Sequence, residues 1–130
     1  MKLLKELLYG CTLDSVFGDT SVAIYNIFLN SNEVSSPGIF VAINGVNIDG
    51  HQFINQAIAA GAVAILCEEL PKEIQNHVTY IKVYNSSFAL GIIASNFFNN
   101  PSSHIKLIGI TGTNGKTSTA YYLFYLFQKL

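Results

Sequence analysis

Arginine is absent from this sequence: all seven positive charges are lysine, set against eight aspartates and glutamates for a net charge of −1. A duplex nucleic-acid reader ordinarily turns a clustered basic face toward phosphates, so that class is excluded. Charge of either sign is scarce, at 12 % of residues where soluble domains carry about 25 %. Cysteine occurs only as Cys11 and Cys67, far apart and without a CxxC partner. A disulfide framework needs more thiols and a zinc site needs grouped ligands, so two reduced thiols in a cytoplasmic protein are expected. His51, His77 and His104 are equally scattered and read as cap, surface or loop residues. Long apolar runs are lacking too. The nearest, 88–98 and 120–127, fall short of the ~18 residues of a membrane helix. The leucine-rich start is interrupted by Lys5 and Glu6, and no small-residue cleavage site follows, so no export or anchoring signal is read. What remains is a chain of 130 residues, 50 % of them hydrophobic. It is too apolar to be disordered and long enough for one well-buried domain.

Leu3, Leu4, Leu7 and Leu8 repeat with the stripe of a short amphipathic helix. Strands are expected at 22–29 and 39–43, the second wholly apolar as a buried strand would be. Asp49 is placed to cap a helix over about 50–60. That helix would set Phe53, Ile54, Ala57 and Ile58 on one face and stop at Gly61. Further strands are expected at 63–66 and 80–83. Ser86 is read as the cap of a helix to about 98, with Phe88, Ile92 and Phe97 on its face. Asn99-Asn100-Pro101-Ser102-Ser103 breaks that helix, after which a strand at 106–111 and a helix from Lys116 are expected. Strands alternating with helices predict an α/β fold with a mixed or largely parallel sheet. The break divides the chain into a domain over 1–100 and, over 101–130, one strand, one turn and one helix that cannot bury their own faces.

The most specific local pattern is Gly109-Ile110-Thr111-Gly112-Thr113-Asn114-Gly115-Lys116-Thr117-Ser118-Thr119. Glycines let a backbone approach phosphates and turn its N–H groups inward, and a helix starting there adds its positive dipole end. Lys116 supplies a point charge to the β/γ-phosphates and Thr117 a hydroxyl to Mg²⁺. The spacing departs from the general G-x-x-x-x-G-K-[ST] loop, because Ile110 stands six residues before the lysine.

Thr111-Gly112-Thr113-Asn114-Gly115-Lys116-Thr117 resembles the ATP loop of the Mur ligases, which add amino acids to the cell-wall nucleotide precursor and use this same glycine spacing. The loop alone is also similar to those of folylpolyglutamate and cyanophycin synthetases. The stretch 29–45, with Phe40-Val41-Ala42, and Asp49-Gly50-His51-Gln52-Phe53-Ile54 resemble the N-terminal domain of the third and fourth Mur ligases, which holds the uridine diphosphate end of their substrate. The leucine-rich start and the Thr113-Asn114 pair look like the third ligase (MurE type); the fourth (MurF type) usually has serine at the position of Thr113.

The resemblance implies that Leu29 and Ser31 contact the uridine and that Val46-Asn47-Ile48 approach the uracil and diphosphate. It implies ATP contacts along Gly112, Thr113, Asn114, Gly115, Lys116, Thr117 and Ser118, with Lys116 catalytic and Thr117 toward Mg²⁺. Where the family usually has Asp-Ser-Arg or Asp-Ser-Lys, this chain has Asn30-Ser31-Asn32, which removes an ion pair and a cation. The implied reaction is ATP-dependent amide formation: the D-Glu carboxylate of UDP-MurNAc-L-Ala-D-Glu becomes an acyl phosphate, which the amine of meso-diaminopimelate or lysine displaces. The pocket for that diamino acid lies downstream in the family. The expectation is therefore a fragment, inactive alone, comprising the substrate-binding domain and the truncated start of a P-loop ATPase domain. A stand-alone nucleotide-sugar-binding module, a MurF-type fragment and a small P-loop regulatory protein are the other readings. The apolar helix after Lys116 belongs inside a larger protein. It is expected to pack on the first domain, to pair with a second copy or to be disordered.

Overall fold

In a strand buried on both faces, successive side chains feed two different cores, which is how the apolar runs are used in the computed structural model, describing residues 1–46 and 48–130. In chain order the elements are β1 (Lys2–Leu3), α1 (Leu4–Leu7), β2 (Leu13–Phe17), β3 (Ala23–Ile24), β4 (Ile27–Phe28) and β5 (Ile39–Val41). They continue with α2 (Ile54–Ala59), β6 (Ala64–Cys67), β7 (Thr79–Val83), α3 (Ser86–Phe97) and α4 (Lys116–Lys129), with 3₁₀ turns at Ser31–Glu33, Gly50–Phe53 and Pro101–His104. The main sheet has the order β2-β7-β6-β5-β4. Strands β4 to β7 run parallel, and β2 closes one edge antiparallel to β7. The sheet is therefore mixed and mostly parallel.

Ile39, Val41, Ala64, Leu66, Ile81 and Val83 point to one side, where Leu4, Leu7, Ala89 and Ile93 from α1 and α3 cover them. Phe40, Ile65, Cys67 and Tyr80 point to the other, against Ile54, Ala57 and Ile58 of α2. Burying each such Ile, Leu or Phe contributes about 1.5–3 kcal/mol over leaving it exposed. Polar bonds tie α1 to the end of α3: the Asn96 amide donates to the carbonyls of Leu7 and Tyr9, both at 2.8 Å. Lys2 donates in turn to the Asn96 carbonyl.

Several elements differ from expectation. The strand expected at 22–29 is two strands in two sheets. β3 pairs with β1 while β4 joins the main sheet, the chain turning at Tyr25 and Asn26. The short β1 and the half-exposed edge strand β2 carry mixed residues with no clean alternation, so neither is legible by period. The helix after Asp49 starts as a 3₁₀ turn, with the Asp49 carboxylate accepting from the His51 N–H as a cap. Asn85, not Ser86, caps α3, accepting from the Phe88 N–H at 2.8 Å. Ser86, Ala89 and Ile93 form the buried face of α3, and Phe88 is exposed. The break after α3 stands, with Asn99 and Asn100 both left-handed at φ 61° and 52°.

No strand forms at 106–111, because among the described residues that segment has no neighbour to supply a ladder. The helix after it does form. Neither core cluster contains a residue beyond Phe97, so the aromatic side chains of α4 from Tyr121 to Phe127 stand in solvent. α4 is therefore helical and is not packed into the first core. Among the described residues no helix is long and apolar enough to cross a membrane.

Candidate functional site

Parallel sheets bind ligands beyond the carboxyl ends of their strands, where loops converge on backbone groups left unpaired by the ladder. Such a cleft lies past β4 and β5. It has a volume of about 390 Å³ and is lined by Leu29, Asn30, Ser31, Asn32, Ile43, Gly45, Ile48, Gly50 and Phe53. None of these carries a charge. One wall is the 3₁₀ turn Ser31–Glu33, which Asn30 caps by accepting from the Asn32 N–H at 3.0 Å while its amide donates to Glu33 at 3.3 Å. Asn32 accepts from the Gln56 amide at 2.7 Å, joining this turn to α2. The facing wall is the loop after β5. It folds back on itself, with Gly45 N–H donating to Ile48 O at 3.1 Å and Gly50 N–H to Ile43 O at 2.8 Å. A Cβ at Gly45 would stand 2.7 Å from the Ile48 carbonyl oxygen, and one at Gly50 2.8 Å from the Ile43 nitrogen. Only glycine fits at either position.

Below that loop a chain of polar bonds runs along the carboxyl edge of the sheet. His51 Nε2 accepts from the Glu68 N–H at 2.9 Å, so the ring proton sits on Nδ1, 2.6 Å from Asp49 Oδ1. Glu68 in turn accepts from both the N–H and the hydroxyl of Ser86, at 2.8 and 2.7 Å. The Ser86 bonds hold the Glu68 carboxyl below its ordinary pKa, and the bonds from His51 do the same for Asp49. Both cysteines are free. Burial pushes the Cys67 thiol up to about 11, which leaves it un-ionised and chemically quiet at neutral pH.

The glycine-rich loop is separate from this cleft. Gly112 and Gly115 adopt φ of +151° and +78°, conformations that L side chains avoid. Gly115 leads directly into α4, whose first turn has no side-chain cap. Its leading N–H groups therefore face solvent, where an anion would be favoured. Lys116 reaches back along the loop and donates to the Gly112 carbonyl at 2.5 Å. Thr113, Asn114, Thr117 and Ser118 are all exposed around it.

Of the residues expected to meet the nucleotide substrate, Leu29, Ser31 and Ile48 come together in the cleft. Val46 is fully exposed outside the lining, and Asn47 lies outside the described residues. Sequence reasoning missed Ile43, Gly45, Gly50 and Phe53 as lining, and Gln56 as a support. The two glycines in a short polar stretch carried the signal, because close loop closure needs them.

A family model described as Mur ligase family, catalytic domain, matches residues 23–98. The UDP-N-acetylmuramoyl-L-alanyl-D-glutamate--2,6-diaminopimelate ligase of Cytophaga hutchinsonii is 48 % identical over 128 residues, covering 98 % of this chain and 26 % of that protein. The chain thus spans about a quarter of the length of the curated relatives it matches. Among solved structures, the UDP-N-acetylmuramoylalanyl-D-glutamyl-2,6-diaminopimelate--D-alanyl-D-alanyl ligase of Acinetobacter baumannii superposes with a TM-score of 0.63 at 23 % identity, covering 98 % of this chain and 28 % of that one. That likeness bears on fold alone. A MurF ligase from Thermotoga maritima in complex with ADP has a TM-score of 0.51 at 33 % identity, over 72 % of this chain and 21 % of that one.

Proposed function

The chain belongs to the Mur ligase family, and from that membership we propose that residues 1–100 bind the uridine diphosphate end of UDP-MurNAc-L-Ala-D-Glu while residues 101–130 open an ATP-binding P-loop domain. The observation that carries the reading is the uncharged cleft past β4 and β5, in which Leu29, Ser31 and Ile48 lie side by side. A neutral base and ribose suit its amides, hydroxyl and apolar walls. Val46 and Asn47 complete the substrate loop in this reading.

At the glycine-rich loop, Gly112, Thr113, Asn114, Gly115 and Ser118 cradle ATP phosphates, and Lys116 exchanges its bond to the Gly112 carbonyl for the γ-phosphate. There it steadies the charge that builds as the phosphoryl group transfers. Mg²⁺ fits the donor set, since it binds through one or two protein oxygens plus phosphates and water, and the exposed Thr117 hydroxyl offers one. When bound, the ion supplies neutralising charge on the phosphate oxygens. The D-Glu carboxylate oxygen attacks the γ-phosphorus and ADP leaves. A diamino acid, 2,6-diaminopimelate by the relatives' names or else lysine, then attacks the acyl carbon through its amine. Phosphate departs, the amine loses a proton and an amide remains. In this reading the chain acts in the cytoplasm, without nucleic-acid or membrane partners.

Titration calorimetry of the 130-residue chain with UDP, and separately with Mg²⁺ and ATP, tests this. Saturable UDP binding is expected, weakened about threefold to tenfold by Ser31→Ala, the range of one hydrogen bond. A folded chain that does not bind UDP overturns the reading. The core confined to residues before Phe98 favours one second reading, a nucleotide-sugar-binding module, which UDP binding without any ATP binding would support.

A further inference from the structure

We infer that His51 is a positioning residue for the nucleotide cleft, clamping the loop after β5 to the end of β6 through a single ring tautomer; the inference rests on the UDP-binding reading above. His51 lines no part of the cleft, yet its neighbour Gly50 and the nearby Ile48 and Phe53 do. Its side chain is 15 % exposed and makes bonds at both ring nitrogens. Nε2 accepts from Glu68 N–H at 2.9 Å and stands 3.3 Å from Glu69 N–H. A backbone N–H cannot be an acceptor, so Nε2 carries no proton and Nδ1 carries it toward Asp49, 2.6 Å away.

The acidic end of this bond is fixed as well. Asp49 accepts from the His51 N–H at 2.9 Å and bridges to Asn44 across the neck of the loop. One ring thereby joins the neck of the cleft wall to the strand end that the sheet holds rigid. The far end is anchored again, because Glu68 is held by the first residue of α3. Gly45, Val46 and Ile48 hang from this neck and place no side chain in the core, Val46 and Ile48 both being exposed. Their position therefore depends on the clamp, and nucleotide affinity should follow it more closely than global stability does.

Two measurements test this on the 130-residue chain. Long-range ¹H–¹⁵N correlation spectra should report His51 with its proton on Nδ1; a proton on Nε2, or exchange-averaged nitrogens, overturns the inference. Calorimetry with UDP should give His51→Ala about tenfold weaker binding than wild type. His51→Gln, which keeps one acceptor and one donor, should recover part of the loss and guards against a misfolded alanine variant. UDP binding by the wild type that both variants retain in full overturns the inference alone. Absence of UDP binding by the wild type overturns the functional reading on which it rests.

Discussion

Glu68 follows the last residue of β6 and uses one carboxylate oxygen to accept two bonds from Ser86, from the N–H and the hydroxyl. Charge-assisted bonds of this kind are stronger than neutral ones, which is why the Glu68 carboxyl sits below its ordinary 4.5. A carboxyl depressed in the folded state stabilises fully above its unfolded pKa, and that contribution drains as pH falls through the unfolded and then the folded value. Glu68→Gln keeps the acceptor and loses the charge. At neutral pH the variant should be less stable than wild type by about 0.5–1 kcal/mol, discounted for partial exposure. Urea denaturation at a series of pH values should show that gap closing below about 4.5; a gap that persists unchanged into acid refutes the assignment. The turn at Asn30-Ser31-Asn32 shows the opposite economy of charge. Where the resembled ligases usually have an acidic and a basic residue, Asn30 caps the turn and Asn32 takes the Gln56 amide. Neutral amides thus fix the turn locally.

At the scale of elements, periodicity was informative wherever one element had one job. β5 and β6 are short apolar runs because each feeds two cores, β7 does the same through Tyr80, Ile81 and Val83, and α2 shows Ile54, Ala57 and Ile58 at helical spacing. The stretch 22–29 misled because β3 and β4 lie in different sheets while sharing one Val/Ile/Phe-rich composition, and nothing local marks the exchange between them. Ser86 misled for another reason: a serine beside an asparagine at a helix start satisfies the capping rule at either residue. The choice depends on Glu68, a residue distant in sequence. The cleft was legible through residues that carry a family resemblance, such as Ser31, whereas Phe53 lines it from the 3₁₀ turn before α2 and Gln56 supports it from α2 through Asn32. Gly38 gives the element-scale test. It leads into β5, and an added Cβ would lie 2.6 Å from both the Asn26 carbonyl oxygen and the Phe28 ring. Phe28 is buried in the core and cannot withdraw cheaply. Gly38→Ala should cost about 1–3 kcal/mol, read as a lower urea midpoint with an unchanged slope; an unchanged midpoint would show that β4 yields.

For the whole molecule, the two cores and the tail have separate physics. Every residue of both buried clusters precedes Phe98, and the parallel strands β4 to β7 complete their ladders within that stretch. The tail contributes none of this. Leu107 is 92 % exposed and Tyr122 73 %, and α4 persists on its own hydrogen bonds and aromatic neighbours such as Tyr121 and Tyr125, whose ring centroids stand 4.6 Å apart. An isolated helix of this length is marginal in water, so its apolar side chains add exposed surface without adding to the folding free energy of the sheet. A chain ending at Asn100 retains the α3 terminus, because the Asn100 N–H bonds the Ser95 carbonyl at 2.7 Å. Such a chain should unfold with the same urea midpoint as the full 130 residues. It should also bind UDP with the same affinity, since no cleft residue lies beyond Phe53. Sedimentation should find it less prone to associate, because the exposed aromatic run has gone. A lowered midpoint would mean that residues 101–130 support the sheet in solution, and a lost UDP signal with an unchanged midpoint would move part of the nucleotide site into the tail.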